Sequence, residues 1–450
     1  MSMITSDALD IELEKSTMSQ MIKDILLEAK KLGATSAEVG VSKQCGLSVN
    51  VRNNDVETIE FNRDCGFGIT VFIGKRKGNA STSDTSHSAL SYAVKAAISI
   101  AKQTTEDPYS GLIDADLMAT EIKDLQLDHP MGITPEIAIE HALIAEQSML
   151  QQDKRVKSDG TTFASHRGIS MYGNSHGFLA GYPSSRHSLS AVAIAEDGQG
   201  MQRDYYYSTA RNAKRLLSDN MIGIKAAERS VARLGAKSVP TGNFPILLCP
   251  EIAAGFFGHF LGAIKGGSLY RKSSFLLDSL GQQILPSAIS IEEKPYLLEG
   301  LGSAPFDAEG VATRNQYFVR DGIVENYILS SYSARRLNMQ TTANAGGVHN
   351  ILVSNSGQNF QQLLTELNKG LLVTEVMGQG VNIVTGDYSR GASGFWVENG
   401  EIQFPVEEIT IAGNLKTMLA NIVAVGNDYD PRLSTQTGSV LLSSMTIAGN

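Results

Sequence analysis

Apolar residues recur every three or four positions in "MSQMIKDILLEAKKL", residues 18–32. Met18, Met21, Ile22, Ile25, Leu26, Ala29 and Leu32 therefore share one helical face, and Gly33 stands where that helix should stop. The period then shortens. "GLSVNVRNNDVETIEF" alternates about Asn53-Asn54, and "GFGITVFIGKRKGNAST" alternates about a basic turn, which predicts two hairpins. "SALSYAVKAAISIAKQT" returns to helical spacing, so residues 18–105 read as an N-terminal α+β domain. A looser stretch with Pro108, Gly111, Pro130 and Gly132 follows. Thr134 and Pro135 then form an N-cap and first-turn pair for a helix through about Gln151. Alternation from Val156 to Tyr207 predicts strands, and a helix near 218–234 closes a strand-rich middle unit over 128–235.

The segment "GAKSVPTGNFP" reads as a linker into a C-terminal mixed, β-rich domain over 243–450. Near its start, "FPILLCPEIAAGFFGHFLGAI" is apolar enough to suggest a membrane span. Pro245, Pro250, Glu251 and His259 interrupt it, and a buried strand followed by a helix is the better reading. Asp321-Gly322 and Asn399-Gly400 each predict a hairpin. "NFQQLLTELNKG" predicts a helix ending at Gly370, and "GQGVNIVTG" reads as a strand flanked by turns. The fold class is multi-domain α+β.

Length and charge narrow this picture. A chain of 450 residues exceeds one ordinary core, so about two to four domains are expected. The formal charge of −9 speaks against a general nucleic-acid binder. Cys45, Cys65 and Cys249 form no C-x-x-C pair, which favours a reducing compartment. "MSMITSDALDIELEKSTMSQ" has no apolar signal core. A cytoplasmic protein without a membrane span is expected.

Candidate chemistry is sparse. His259 lies on the apolar helix "GFFGHFLGAI", where a zinc hydrolase would need a glutamate beside it and a second ligand about one turn on. Phe260, Ala263 and Ile264 supply neither, so a hydrogen-bonded core histidine is favoured over a ligand. His166, His176 and His187 have the spacing of neighbouring hairpins and could converge, though surface or turn positions are favoured. His349 follows "NAGGV", a turn able either to approach a ligand or simply to reverse the chain. "GDYSRGASGF" could hold a carboxylate or a peptide backbone through Arg390, or close an internal Asp387–Arg390 pair in a turn. "GKRKG" reads as a solvated hairpin tip. No phosphate loop, dinucleotide fingerprint or serine-nucleophile elbow occurs.

Several long stretches together resemble the TldD/PmbA peptidase family, and its PmbA-type (TldE) branch in particular. They are "YRKSSFLLDSLGQQI", "GSAPFDAEGVAT" and the run from 370 to 419, with the closing "GNDYDPR" and "MTIAGN". The resemblance implies a cytoplasmic two-chain zinc peptidase that cleaves unfolded peptides in a chamber between a TldD-type and a PmbA-type chain. Implied roles are maturation of a microcin and degradation of the antitoxin CcdA, and an older label is modulator of DNA gyrase.

In that family the TldD-type chain carries H-E-x-x-x-H and a later cysteine. Over this pattern His259 takes the first ligand position, Phe260 that of the glutamate and Ile264 that of the second histidine; "TTANAGGVHN" supplies no cysteine. The implication is a chain with no catalytic residue and no metal of its own, zinc belonging to the TldD-type partner. His259, Asn344, Gly346, Gly347 and Arg390 are then the peptide-contact candidates. A homodimer of the isolated chain, a self-sufficient metallopeptidase and a gyrase- or partner-binding modulator stay open.

Overall fold

A computed structural model describes residues 9–198 and 200–449. The first eight residues of the N-terminal stretch on which the signal-sequence reading rests, and the final Asn450, lie outside them.

The first sheet is antiparallel. It orders β3 (Arg76–Thr82), β2 (Asp55–Ile73), β1 (Ser36–Arg52), β4 (Val156–Asn174), β5 (Leu179–Glu196) and β6 (Met201–Ala210). The expected units 18–105 and 128–235 therefore contribute three strands each to one sheet, joined where β1 pairs with β4 from Glu38↔Asn174 to Val51↔Thr161. Helices α1 (Ile11–Lys31), α2 (His87–Gln103), α3 (Pro135–Gln152) and α4 (Asp219–Ala232) all cover one face. Alternation dictates this: the odd-numbered Val39, Val41, Leu47, Val49 and Val51 of β1 point into the helices, and even-numbered positions point away. The helix read from residue 18 begins earlier, at Ile11, because the Asp10 side chain accepts from the Leu13 N–H as N-cap. The Asn53-Asn54 hairpin forms with φ of 56° and 61°, as a tight turn of primed type requires.

A small second sheet orders β10 (Ile323–Val324), β9 (Gln316–Arg320), β8 (Ile291–Glu293), β11 (Ile351–Val353) and β16 (Thr435–Gln436). The third orders β14 (Glu401–Asn414), β13 (Asp387–Glu398), β12 (Gly370–Met377), β7 (Gly242–Leu248), β17 (Val440–Ala448) and β15 (Ile422–Val425). Pairing of β14 with β17 closes five of these strands into a barrel. Strand β7 is buried on both faces, with Ile246 and Leu248 toward α5 (Pro250–Ala263) and Leu247 toward α8 (Phe360–Leu367). That explains its unbroken apolar run. The remaining helices are α6 (Gly266–Tyr270), α7 (Ser331–Arg336) and α9 (Leu415–Ala420). Among the described residues no helix is long and apolar enough to cross a membrane.

Two local expectations are corrected. Helix α8 stops at Leu367, not Gly370, because Asn368 turns the chain at φ 54°; Gly370 opens β12, and its Cα lies so near Pro245 that a Cβ would come within 2.2 Å of that carbonyl oxygen. "GQGVNIVTG" is a loop with one isolated bridge, Val381↔Tyr388, rather than a strand. The "GKRKG" turn is the solvated hairpin tip expected, with the Lys75 Nζ donating to the Ser110 carbonyl at 2.9 Å and Arg76 3.5 Å from the exposed Glu106.

Candidate functional site

Strand β7 delivers the chain directly into α5. Pro250 occupies the first turn, and Glu251 there pairs with Arg432 at 2.7 Å and Arg229 at 3.2 Å. Burial pushes the Cys249 thiol at the N-cap up to about 12, so it stays protonated at neutral pH. One side of α5 sinks Phe256, Phe257, Phe260 and Leu261 into the core. The other side carries Gly255, Gly258, Gly262 and the half-buried His259.

His259 is not the hydrogen-bonded core histidine favoured from sequence. Its ring stands edge-on to Tyr388 with centroids 6.0 Å apart, and among the described residues it makes no side-chain hydrogen bond. Burial first, and then the positive charge of Arg390, lower its pKa, which keeps the ring neutral. Arg390 leans on the carbonyls of Met377 and Val376, each at 3.4 Å. The alternative Asp387–Arg390 pair is absent because Asp387 accepts instead from Thr385 at 2.6 Å and Asn414 at 3.3 Å. The run is also a strand, β13, and not a turn.

These donors do not fit zinc. The motif positions Phe260 and Ile264 are both 0% exposed, and Ile264 caps a helix that has already ended at Ala263. The charged group acting on His259 is a cation, Arg390, which opposes a second positive charge at that ring. Among the described residues no three His, Cys, Asp or Glu side chains gather as a metal-binding group.

The glycine-rich segment lies elsewhere. Gly346 and Gly347, at φ of 92° and 132°, line a cleft of about 1080 Å³ together with Gly40, Ser42, Gly66 and Gly68 on the helix-free face of the first sheet. Asn344 is not free to touch a ligand there. Its Nδ2 donates to the buried Glu293 at 2.8 Å, and Glu293 also accepts from Gln316 at 2.7 Å and from the His349 N–H at 2.7 Å. His349 Nδ1 lies 3.0 Å from the same carboxylate. Asp307 braces the loop from beneath, accepting from the backbone N–H groups of Glu309, Val311 and Ala345. Burial nonetheless raises its pKa to about 6. Glu293 and Asp307 were invisible in sequence, each being a single acid whose partners lie far along the chain.

The three middle-unit histidines do not converge. His187 is buried, its Nδ1 2.9 Å from Ser165 Oγ and its Nε2 2.9 Å from the His129 carbonyl. His166 is on the opposite face of the sheet, because Ser165↔His187 and His166↔Arg186 are adjacent register pairs. His176 lies in the exposed β4–β5 turn.

Comparison with known proteins accounts for this architecture. Profiles of the PmbA/TldA metallopeptidase family match residues 37–101 (domain 1), 128–234 (central domain) and 241–449 (C-terminal domain). The chain belongs to the PmbA/TldD metallopeptidase family. Metalloprotease PmbA of Escherichia coli O157:H7 is 50% identical over 440 residues, covering 98% of each chain. The Haemophilus influenzae homologue is 50% identical over 442 residues, again covering 98% of each. Among solved structures, a candidate modulator of DNA gyrase from Bacteroides thetaiotaomicron superposes with a TM-score of 0.91 at 26% identity, covering 96% of this chain and 98% of that one. TldE from Thermococcus kodakarensis gives 0.84 at 19% identity, covering 95% and 100%, and shares the fold.

Proposed function

We propose that this chain is the non-catalytic, PmbA-type (TldE-like) subunit of a cytoplasmic two-chain zinc peptidase, and that it forms one wall of the chamber in which a TldD-type partner cleaves unfolded peptides such as a microcin precursor or the antitoxin CcdA. The observation that carries this reading is the surroundings of His259: a lone imidazole beside Arg390, with hydrocarbon buried at both other motif positions. Without a metal, nothing in that neighbourhood lowers the pKa of water or polarises a peptide carbonyl. The helix-free sheet face and the Gly346–Gly347 loop support a holding role, since small side chains let an extended peptide approach main-chain groups closely. Of the five peptide-contact candidates, Gly346 and Gly347 retain that part; His259 and Arg390 form a separate polar patch on α5 and β13.

The test is reconstitution. The purified chain should leave an unfolded peptide intact, a TldD-type chain should gain cleavage on mixing with it, and a chelator should remove that gain. Chelator-sensitive cleavage by this chain alone would contradict the proposal.

A further inference from the structure

On the helix-free face of the first sheet, Gly46, His166 and Arg186 are successive cross-strand neighbours, Gly46↔His166 and His166↔Arg186. Arg211 follows directly on the end of β6. His166, Arg186 and Arg211 border a hollow of about 360 Å³ that shares Ser42 and Ser170 with the larger cleft, so the two form one groove running toward Gly346–Gly347.

The charges in this hollow are unbalanced. Arg211 donates from Nη1 to the Ser185 carbonyl at 3.1 Å and from Nη2 to the Leu301 carbonyl at 2.8 Å, while its buried Nε has no partner. Arg186, exposed in the groove, donates from Nε to Thr209 Oγ1 at 3.2 Å. Among the described residues neither guanidinium forms an ion pair with a carboxylate. Other cations around this sheet do: Arg167 with Asp128 at 2.7 Å, Arg203 with Asp159 at 2.7 Å, and Lys43 with Glu14 at 2.5 Å. Burial and the neighbouring Arg186 both disfavour the charge on Arg211, and the same two causes disfavour protonation of His166. Asp64, whose charge partly offsets this at His166, accepts from Gln44 at 3.2 Å. Two like charges held side by side, with Arg211 largely out of water, are unfavourable until an anion enters between them. A carboxylate matches the planar fork of each guanidinium.

We propose that the His166–Arg186–Arg211 hollow is an anion site that takes the carboxylate of an extended peptide lying along the groove. This deepens the peptide-holding reading and rests on it for the occupant, but the anion site is testable by itself. The His166 imidazole signals of the full-length chain, assigned with His166→Gln, are followed by NMR during titration with N-acetylglycine and with N-acetylglycinamide. The acid should shift these signals to saturation and raise the His166 pKa, and the amide should do neither. In Arg186→Gln the response should weaken about tenfold or more, with unfolding unchanged because the side chain is exposed. Equal responses to acid and amide, or an undiminished response in Arg186→Gln, would overturn the site.

A second arm uses labelled hexapeptides with a free terminus, an amidated terminus, or an amidated terminus plus one glutamate. Preference for the first assigns the terminal carboxylate, and equal preference for the third assigns an acidic side chain. If N-acetylglycine binds through Arg186 and no peptide binds, the anion site stands and the peptide-holding reading fails. If peptides bind regardless of carboxylate and of Arg186, the reverse holds.

Discussion

Restoring the motif by Phe260→Glu and Ile264→His asks whether this chain is two substitutions away from a metal centre. The structure predicts that it is not. Both positions are 0% exposed within the barrel core that also contains Phe256, Phe257 and Val373. Removing the buried phenylalanine ring costs about 3–5 kcal/mol. The new carboxyl would have no partner there and would take up a proton rather than ionise. Exchanging Ile264 loses about 2 kcal/mol of packing and leaves a buried polar ring unsatisfied for about 1–3 kcal/mol more. The sum, about 6 kcal/mol or more, rivals the whole stability of a typical domain, and positions four apart on one helix will not add independently. Guanidinium unfolding of the single and double variants, with metal analysis after dialysis, provides the assay. A double variant that keeps the parental midpoint and retains one zinc per chain would refute the reasoning.

Further outcomes follow from the same contacts. His259→Ala loses only an edge-on ring contact, about 0.5–1.5 kcal/mol, and should leave the activity of the reconstituted complex within about twofold; a collapse of activity in a folded variant would contradict this. Gly223→Ala would put a Cβ 1.9 Å from the Ala145 carbonyl oxygen where α4 crosses α3, so unfolding should show a loss of about 1–3 kcal/mol or more, whereas Gly258→Ala, with nothing within 4 Å, should gain about 0.5–1 kcal/mol. Arg432→Ala strips the partner from buried Asp430 and leaves Glu251 only Arg229, at the junction of α5 with the first sheet, and should cost about 3 kcal/mol, read by the same unfolding assay. Asp307 binds its proton more tightly folded, at about 6, than unfolded, at 3.8. Its contribution is therefore fully present below pH 3.8 and is lost as pH rises toward 6, by up to about 3 kcal/mol. Stability of the parent chain should fall more steeply across that window than that of Asp307→Asn; equal slopes would contradict the assignment.

What the sequence made legible was local. The α1 and α5 stripes, the Asn53-Asn54 and Asn399-Gly400 turns and the alternation in β1 and β4 each depend on neighbours within a few residues, and each forms. What it concealed was long-range. Nothing near Glu38 in sequence announces that β1 will pair with β4 more than a hundred residues on and merge two expected units into one sheet. Nothing near Glu293 announces Asn344, Gln316 and His349 as its donors. At the candidate site the lack of a metal-ligating side chain at Phe260 and Ile264 was readable from residue type alone. The state of His259 was not: its exposure and its cationic neighbour depend on β13, which arrives from the far side of the barrel.

The central claim is that the metal and the hydrolytic chemistry belong to the partner chain. The most direct measurement is zinc per polypeptide in this chain purified alone, in a TldD-type chain purified alone, and in their mixture after dialysis. The account predicts no retained zinc in the first sample and one ion per TldD-type chain in the other two. One tightly held zinc in this chain by itself would contradict it.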